Sequence, residues 1–325
     1  MLPSGRLDGP VVIMGACGNA GRMHAQIYRS LGVRTVAVDP AATNAPAAVP
    51  WADGVVDVCT PTALHASSLV EAYRLGARRF IVEKPAARSL QDWRVAVAAA
   101  PKALIWSVHH QLWSQAFRVA RDAVPEPVAV MCAFDKDRAT DDQRGRGSSL
   151  DGGVPHVLQV EIPHQIAMAM AIDPIMRVAS AAVAARGQRG AVTDAPIAVR
   201  LNMSSSRTQA VLESHLGAPR RRSLCLTDDH GGEVTVEFPV TGELTAVVRL
   251  AVAGRAPRTL FVGEDNALRR TLATALDCLG RAQIPSDASA DFAGLVLSHI
   301  DDAKRMLRAT DPSAQQHDAA VPAAA

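Results

Sequence analysis

The chain has almost no excess charge and no long apolar run, and these shortages exclude several classes of protein. Its 34 Lys and Arg residues nearly balance 32 Asp and Glu residues, for a formal net charge of +2. So small an imbalance does not favour nucleic acid or a membrane surface as a partner. No stretch approaches the roughly 18 uninterrupted apolar residues of a membrane span, and residues 1–10 carry no apolar signal core. We therefore expect neither a membrane anchor nor export.

Cysteine is also scarce, and the few that occur follow no pattern. The five residues are Cys17, Cys59, Cys132, Cys225 and Cys278. Their odd number and irregular spacing argue against a disulfide framework and against a zinc site. His156, Glu161 and His164 also match no usual zinc spacing, because a proline turn is expected between the last two. The sequence predicts a cytoplasmic enzyme or binding protein without a structural metal.

The first 110 residues alternate short apolar strands with helical stretches. Strands are predicted at 11–14, 35–38, 55–59, 80–82 and 103–106, and helices at 20–31, 65–75 and 90–99. Apolar strands separated by helices of 10 to 15 residues indicate βαβ units around a parallel sheet that is buried on both faces. This pattern predicts an N-terminal Rossmann domain over residues 1–118.

The pattern changes after residue 118, where strands follow one another with few helices between them. Strands are predicted at 128–134, 176–183, 197–203, 209–214, 223–227, 233–238 and 244–251, and helices at 162–172, 268–279 and 288–307. Hairpin-like spacing predicts a second, α+β domain over residues 119–310, built on an open-faced and mainly antiparallel sheet. The Ala-, Pro- and Gln-containing stretch 311–325 is predicted to be a disordered tail.

A glycine-rich turn lies between the first strand and the first helix. The segment Gly15-Ala16-Cys17-Gly18-Asn19-Ala20-Gly21 has the strand–turn–helix context in which backbone N–H groups bind a pyrophosphate. Ala16 stands where the usual spacing has its first glycine, and Gly15 lies one residue early. Asp39 ends the second strand, where a carboxylate binds the ribose hydroxyls and repels a 2′-phosphate. The pattern predicts a nucleotide site that prefers NAD over NADP; a ligand-free structural turn is the alternative.

Lys84 lies between Glu83 and Pro85 at the end of the fourth strand, where parallel sheets bind ligands. A lysine in that position can handle a proton or simply be solvated. His109 and His110 follow the fifth strand at the same edge, and we expect His110 to face substrate. His24, on the first helix, is expected to be structural.

Three motifs together resemble one oxidoreductase family. They are Gly18-Asn19-Ala20-Gly21-x-x-His24, Cys59-Thr60-Pro61-Thr62-x-x-His65 and Glu83-Lys84-Pro85, and a later Gly280-Arg281-x-x-x-Pro285-x-Asp287 adds to them. In this order and spacing they are similar to the glucose-fructose oxidoreductase / inositol dehydrogenase / rhizopine catabolism (Gfo/Idh/MocA) family. The resemblance is strong to about residue 110 and weaker beyond it.

The resemblance implies a Rossmann domain followed by an open-faced sheet domain, and hydride exchange between nicotinamide and a secondary alcohol or ketone of a sugar, aminosugar or (amino)cyclitol. It implies that Lys84 contacts substrate and that His164 is the acid/base. In many members an aspartate stands four residues before that histidine, but Val160 stands there in this chain and Glu161 is the nearest acid. Glu161 and Gln165 are therefore expected to bind substrate with His110.

The complete set of cofactor-binding residues implied by the turn and the motifs is Gly15, Cys17, Gly18, Asn19, Ala20, Asp39, Thr60, Pro61, His65, Glu83 and Lys84. The resulting prediction is an NAD(H)-dependent dehydrogenase that acts on a small polyhydroxylated substrate. Alternatives are a reductase of a non-sugar ketone or imine, and an inactive NAD-binding regulatory protein. The uncovered face of the second sheet predicts a homodimer or homotetramer.

Overall fold

A computed structural model describes residues 9–40, 49–137, 157–189, 192–240 and 242–310. It divides into two compact units, of which the first contains residues up to His110 together with Leu268–Ser298, and the second contains Gln111–Ala267 and the residues from His299 onward. The predicted domain boundaries after residues 118 and 310 stay predictions. The predicted tail at 311–325 and the segment that contains Asp151 and His156 lie outside the described residues.

The first unit contains a five-stranded parallel sheet. Its strands are β1 (Val11–Met14), β2 (Thr35–Val38), β3 (Val55–Val58), β4 (Arg79–Val82) and β5 (Leu104–Ser107). They lie in the order β2-β1-β3-β4-β5, so the connection from β2 to β3 passes β1. All of β1 and β3 is buried, which explains why these strands are nearly continuous runs of valine and isoleucine. The order reverses between β1 and β3, and open parallel sheets bind ligands at such a reversal.

Three helices connect these strands: α1 (Asn19–Ser30), α2 (His65–Arg74) and α3 (Leu90–Ala99). Helix α3 begins where the Ser89 hydroxyl accepts a hydrogen bond from the Asp92 N–H. Trp93 on α3 is buried, and its indole N–H donates to the Ala290 carbonyl at 2.9 Å. Residue 290 begins the last helix of the chain, so this bond fixes a C-terminal segment to the first unit.

The second unit contains an eight-stranded sheet in the order β13-β12-β11-β10-β6-β9-β8-β7. Its strands are β6 (Ala129–Asp135), β7 (Arg177–Arg189), β8 (Val192–Ser204), β9 (Gln209–His215), β10 (Arg221–Thr227), β11 (Glu233–Glu237), β12 (Thr245–Ala251) and β13 (Arg258–Glu264). Neighbouring strands are antiparallel except β6 and β9, which are parallel.

Side chains on this sheet alternate between a buried and an uncovered face. On β6, Val130 and Cys132 are buried while Met131 is 56% exposed. The buried face continues onto the neighbouring strand, because Val130 and Cys132 pair with the buried Leu226 and Leu224 of β10. The sheet therefore has one apolar, covered face and one open face. The prediction of a Rossmann-type domain with an open-faced, mainly antiparallel second sheet is confirmed.

The helices of the remaining chain are α4 (Gln115–Ala123), α5 (Ile162–Ile172), α6 (Ala267–Gly280) and α7 (Ala290–Thr310). Helix α5 packs on β6 and β9, and α4 packs on β11 and β12. Ten of the eleven residues of α5 are buried, so it is apolar on all sides. Within the described residues, no helix is both long enough and apolar enough to cross a bilayer.

Helix α4 and strand β13 were not predicted from the sequence. Helix α4 begins at Ser114, whose hydroxyl accepts from the Phe117 N–H, and the Asp265 carboxylate accepts from the Gln115 N–H at 2.9 Å. Ser114 is a local capping signal that was not recognised, whereas the contact with Asp265, which is distant in sequence, has no local pattern. Strand β13 has no fully buried residue and therefore no apolar alternation. Strands β7 and β8 also extend beyond the predicted 176–183 and 197–203.

Candidate active site

The glycine turn forms the loop between β1 and α1. Gly15 has φ +78°, and a Cβ there would lie 2.6 Å from the Cys59 carbonyl oxygen. A Cβ on Gly21 would lie 2.3 Å from the Gly15 oxygen. Gly15 thus has a left-handed backbone conformation that would be strained for a residue with a side chain. Gly21, which has no Cβ, allows the helix to approach the turn. The structure explains the irregular spacing, since Gly15 rather than residue 16 makes the tight turn.

The start of α1 is open to an anionic ligand. Gly18 is the exposed residue that precedes the helix, no side chain caps it, and the first turn carries no acidic residue. Asn19 is exposed and Ala20 partly exposed. The first turn of α1 therefore has no acidic residue of its own to neutralise its N–H groups and the positive end of the helix dipole. This turn fits a pyrophosphate.

Asp39 lies beside the same turn. Its Oδ2 accepts a hydrogen bond from the Cys17 N–H at 2.9 Å, and the residue is partly exposed at the end of β2. The bond holds a carboxylate next to the loop that would contact a dinucleotide. The placement fits the predicted ribose contact of Asp39.

Glu83, Lys84 and Pro85 follow β4 at the carboxyl edge of the sheet, and the Lys84–Pro85 peptide is cis. Glu83 Oε2 accepts from the Lys84 N–H at 3.0 Å. Burial favours the neutral acid, but the close contact and charge of His24, followed by the charges of Lys84 and His110, outweigh it and lower the pKa of Glu83 to about 2. Glu83 is therefore a carboxylate beside Lys84 at any physiological pH.

His65 connects two of the loops at this edge. Its Nδ1 lies 2.8 Å from the Pro85 carbonyl oxygen and its Nε2 lies 2.6 Å from that of Thr60. Burial lowers the pKa of His65 despite these carbonyls and the charge of Glu83. A neutral ring has one N–H, so the two carbonyls compete for it. His65 thus ties the Thr60-Pro61 loop to the loop of Lys84 and Pro85.

The two histidines after β5 differ in environment. His109 is buried, with its ring edge-on to Phe292 at a centroid distance of 5.6 Å. Burial, reinforced by the charge of Lys84, lowers the pKa of His109 to about 4, although Glu83 opposes the shift. His110 is partly exposed and contributes to the low pKa of Glu83. Of the two, His110 has the solvent access that the predicted substrate contact needs.

The second unit places Glu161, His164 and Gln165 at the start of α5. Glu161 is the residue before the helix, and its carbonyl accepts from the His164 N–H at 3.1 Å. Pro163 is within the first helical turn, so the expected proline turn between Glu161 and His164 is wrong: proline is tolerated there because the first helical N–H groups lack partners. Gln165 donates its amide to the Glu213 carbonyl at 2.8 Å.

Glu161 is buried between two cations. Its side chain is 2% exposed, with Lys136 Nζ at 3.5 Å from Oε1 and Arg222 Nη2 at 3.4 Å from Oε2. The Arg222 guanidinium also lies 5.8 Å from the centre of the Phe134 ring. Val160, which replaces the family's aspartate, is buried and apolar. The acid nearest His164 in sequence is therefore ion-paired within its own unit.

Two buried residues beside His24 were not predicted from the sequence: Asp57, which bonds to His24, and Tyr28, which donates to Asp57. Both residues are fully buried, and the Tyr28 hydroxyl and His24 Nδ1 each lie 2.8 Å from Asp57 Oδ2. One signal could have found Asp57: it is the single charge in the otherwise apolar strand Val55–Val58. Because a charge is almost never buried without a partner, that position required one.

Comparisons with known proteins show what the architecture is similar to. No family model matches the sequence, and no curated protein is significantly similar to it. Among solved structures, UDP-N-acetylglucosamine 3-dehydrogenase GnnA from Acidithiobacillus ferrooxidans has a TM-score of 0.73 and 17% identity, covering 92% of this chain and 98% of that one.

Two further similar structures were solved with nicotinamide nucleotides. Levoglucosan dehydrogenase, in complex with NADH and L-sorbose, has a TM-score of 0.71 and 15% identity over 91% of this chain and 96% of that one. KijD10, a 3-ketoreductase from Actinomadura kijaniata in complex with NADP and TDP-benzene, has a TM-score of 0.68 and 13% identity over 92% and 98%. These similarities show that the chain has the fold of these two-domain oxidoreductases.

Proposed function

We propose that the chain is a distant member of the glucose-fructose oxidoreductase / inositol dehydrogenase / rhizopine catabolism family. In this proposal it transfers hydride between a nicotinamide nucleotide and a carbinol or keto carbon of a sugar, aminosugar or (amino)cyclitol. One observation carries it. The glycine turn follows β1, Asp39 follows β2, Thr60 follows β3 and Lys84 follows β4, so four parallel strands of one sheet direct them to a single carboxyl edge.

The glycine turn and Asp39 support the choice of cofactor. Gly15, Gly18 and the uncapped start of α1 would hold the pyrophosphate, and Asp39 the adenosine ribose. A bound nicotinamide supplies the hydride acceptor or donor. The Asp39 carboxylate repels a 2′-phosphate, which supports NAD over NADP.

The proposed roles of the chain's own residues follow from their chemistry. In the oxidative direction His164 removes the hydroxyl proton, and Lys84 stabilises the charge that develops on the same oxygen. In the reductive direction His164 returns the proton. His110, Glu161 and Gln165 bind other groups of the substrate, and Glu83 and His65 hold the loop that carries Lys84.

The test is a screen for NAD⁺ and NADP⁺ reduction with free, phosphorylated and nucleotide-linked sugars and aminocyclitols. With the best substrate, we expect Lys84→Gln and His164→Gln each to lower kcat by about 10²-fold or more, since a positioned acid or base contributes on that order. Matched controls are Lys102→Gln and His230→Gln, which change exposed residues of the same type.

The residue assignment is wrong if both site variants keep turnover close to that of the controls. Nucleotide binding without turnover of any substrate would instead favour an NAD-binding regulatory protein. The open face of the second sheet, on which Met131 and Val262 are more than half exposed, supports the proposal of a homodimer or homotetramer, which light scattering of the purified chain measures directly.

A further inference from the structure

A sealed polar cluster lies in the first unit, behind the loop that carries Lys84. His24 and Tyr28 are four residues apart and therefore share one face of α1. Asp57 comes from the middle of β3, and Glu83 follows β4. The side chains of His24 and Asp57 have no solvent exposure, and that of Glu83 has 12%. Two carboxylates are thus buried around one imidazole.

Asp57 accepts from three donors in this cluster. His24 Nδ1 and the Tyr28 hydroxyl each lie 2.8 Å from its Oδ2, and the Cys59 thiol lies 3.4 Å from its Oδ1. Burial and the charge of Asp57 raise the pKa of Tyr28 and the pKa of Cys59, so both remain protonated donors. A carboxylate can accept all three bonds, whereas a neutral carboxylic acid would have to donate one.

The other ring nitrogen of His24 faces the second carboxylate. Its Nε2 lies 3.1 Å from Glu83 Oε1, which is an ion-pair distance without the alignment of a hydrogen bond, and the other Glu83 oxygen, Oε2, accepts from the Lys84 N–H at 3.0 Å. An unprotonated Nε2 would hold its lone pair against a carboxylate oxygen, which is repulsive. Each ring nitrogen therefore faces a carboxylate oxygen, whose negative charge, unlike the neutral carbonyls beside His65, favours a proton on both nitrogens.

We propose that His24 is a permanently charged imidazolium that positions Glu83 and, through Glu83, the backbone of Lys84. In this arrangement His24 is a positioning residue: it contacts neither substrate nor cofactor, and its charge fixes the carboxylate against which the lysine loop is held. The part that concerns Lys84 chemistry rests on the proposed function, whereas the charge of His24 does not.

Electrostatics support this assignment. Burial alone would lower the pKa of His24, but the charge of Asp57 and the hydrogen bond to it raise that pKa well above its usual value. His24 in turn lowers the pKa of Glu83. A cation between two anions reduces the cost of burying each of them, and Lys84 beyond Glu83 balances the remaining negative charge.

A metal ion does not fit the same residues as they stand. His24, Asp57 and Cys59 bring three potential ligand atoms together. However, His24 Nδ1 and Asp57 Oδ2 are 2.8 Å apart, and two ligands of a tetrahedral zinc ion with bonds of ~2.0 Å would lie about 3.3 Å apart. The distance between His24 Nδ1 and Asp57 Oδ2 is that of a hydrogen bond.

The first test needs no substrate. In the full chain labelled with ¹⁵N-histidine, we expect one imidazole to show two protonated nitrogens and no titration between about pH 5.5 and 9. The His24→Gln variant assigns that signal by its disappearance, and the Glu83→Gln variant by its shift. A His24 ring that titrates through neutral pH, or that carries one proton at pH 7, overturns the proposal even if no substrate has been found.

The second test separates positioning from a merely structural role. With a substrate in hand, we expect His24→Gln to lower kcat about 10- to 100-fold, as small misplacements of catalytic groups do, and to leave the Kd for the nicotinamide nucleotide within about 2-fold. Without the imidazolium the pKa of Glu83 rises, so the acid limb of the kcat profile moves to higher pH. Glu83→Gln should lower kcat to a similar extent but remove this acid limb, because glutamine does not titrate.

A double-mutant cycle completes the second test. If His24 acts through Glu83, the double variant is no slower than the slower single variant. The proposal is contradicted if the fold-losses of kcat in the two single variants multiply in the double variant, or if His24→Gln keeps the wild-type kcat. The control is His230→Gln, an exposed histidine, which should change neither kcat nor the pH profile.

Discussion

The two units each bury a carboxylate among groups of opposite charge, but they do so in different ways. In the first unit Asp57 and Glu83 surround His24, and no atom of the His24 or Asp57 side chain reaches solvent. In the second unit Glu161 is equally buried, but its partners Lys136 and Arg222 are 27% and 24% exposed. In the first cluster the His24–Asp57 pair is sealed and Glu83 is 12% exposed, while the second cluster has cations that touch water.

The difference has a physical consequence. A sealed cluster cannot exchange a protein partner for water, so each member fixes the position of the others and removal of one leaves a bare buried charge. The cations of the second cluster can turn toward solvent or toward a bound polar group. We therefore expect the His24 cluster to be rigid, and the Glu161 cluster to adjust when its partners change.

The largest expected effect comes from Asp57→Asn. This change keeps the side-chain shape but removes the main counter-charge of His24, so the free energy of unfolding should fall by about 3–5 kcal/mol. Denaturant unfolding followed by circular dichroism measures the loss. The matched control is Asp92→Asn, because Asp92 forms an exposed pair with Arg88 at 3.6 Å, and its loss should stay below about 1 kcal/mol. Equal losses at the two positions would contradict a sealed cluster.

A smaller effect is expected from Glu161→Gln. Lys136 and Arg222 lose their shared anion, but both can be hydrated in place, so we expect a loss of about 1–2 kcal/mol, less than that for a fully buried pair. Glu126→Gln is the control in the same unit, since Glu126 is 76% exposed in its pair with Arg207. If Glu161→Gln costs as much as Asp57→Asn, the second cluster is as sealed as the first.

How much of the fold the sequence predicts depends on whether an element is defined by a local apolar pattern or by contacts with distant residues. Strands β1 and β3 and helix α5 were predicted closely, because their apolar runs record burial directly, whereas β2 was predicted although none of its residues is fully buried. Helix α4 was missed although Ser114 caps it, because a single serine is a weak signal and the other stabilising side chain, Asp265, lies far along the chain. Strand β13 was missed because an edge strand with partly exposed residues has no apolar pattern.

For the site, motifs located residues but not their contacts. Gly15, Asp39 and Lys84 could be placed at one sheet edge from the strand pattern alone, since parallel strands share an orientation. The partners of His24 and Glu161 could not be predicted from the sequence, because these contacts join distant residues and depend on side-chain direction. Whether a histidine is charged follows from those contacts rather than from its motif.

The smallest expected effect is a difference in salt dependence. Mobile ions screen charges that touch solvent and hardly affect sealed ones. Between about 0.05 and 0.5 M NaCl, we therefore expect the loss of stability caused by Glu161→Gln to shrink by a few tenths of a kcal/mol, and the loss caused by Asp57→Asn to stay constant. Unfolding of wild type and both variants at the two salt concentrations gives both differences. A salt-sensitive loss at Asp57 would show that solvent ions reach His24, and the cluster would then lack the isolation that holds its imidazole charged.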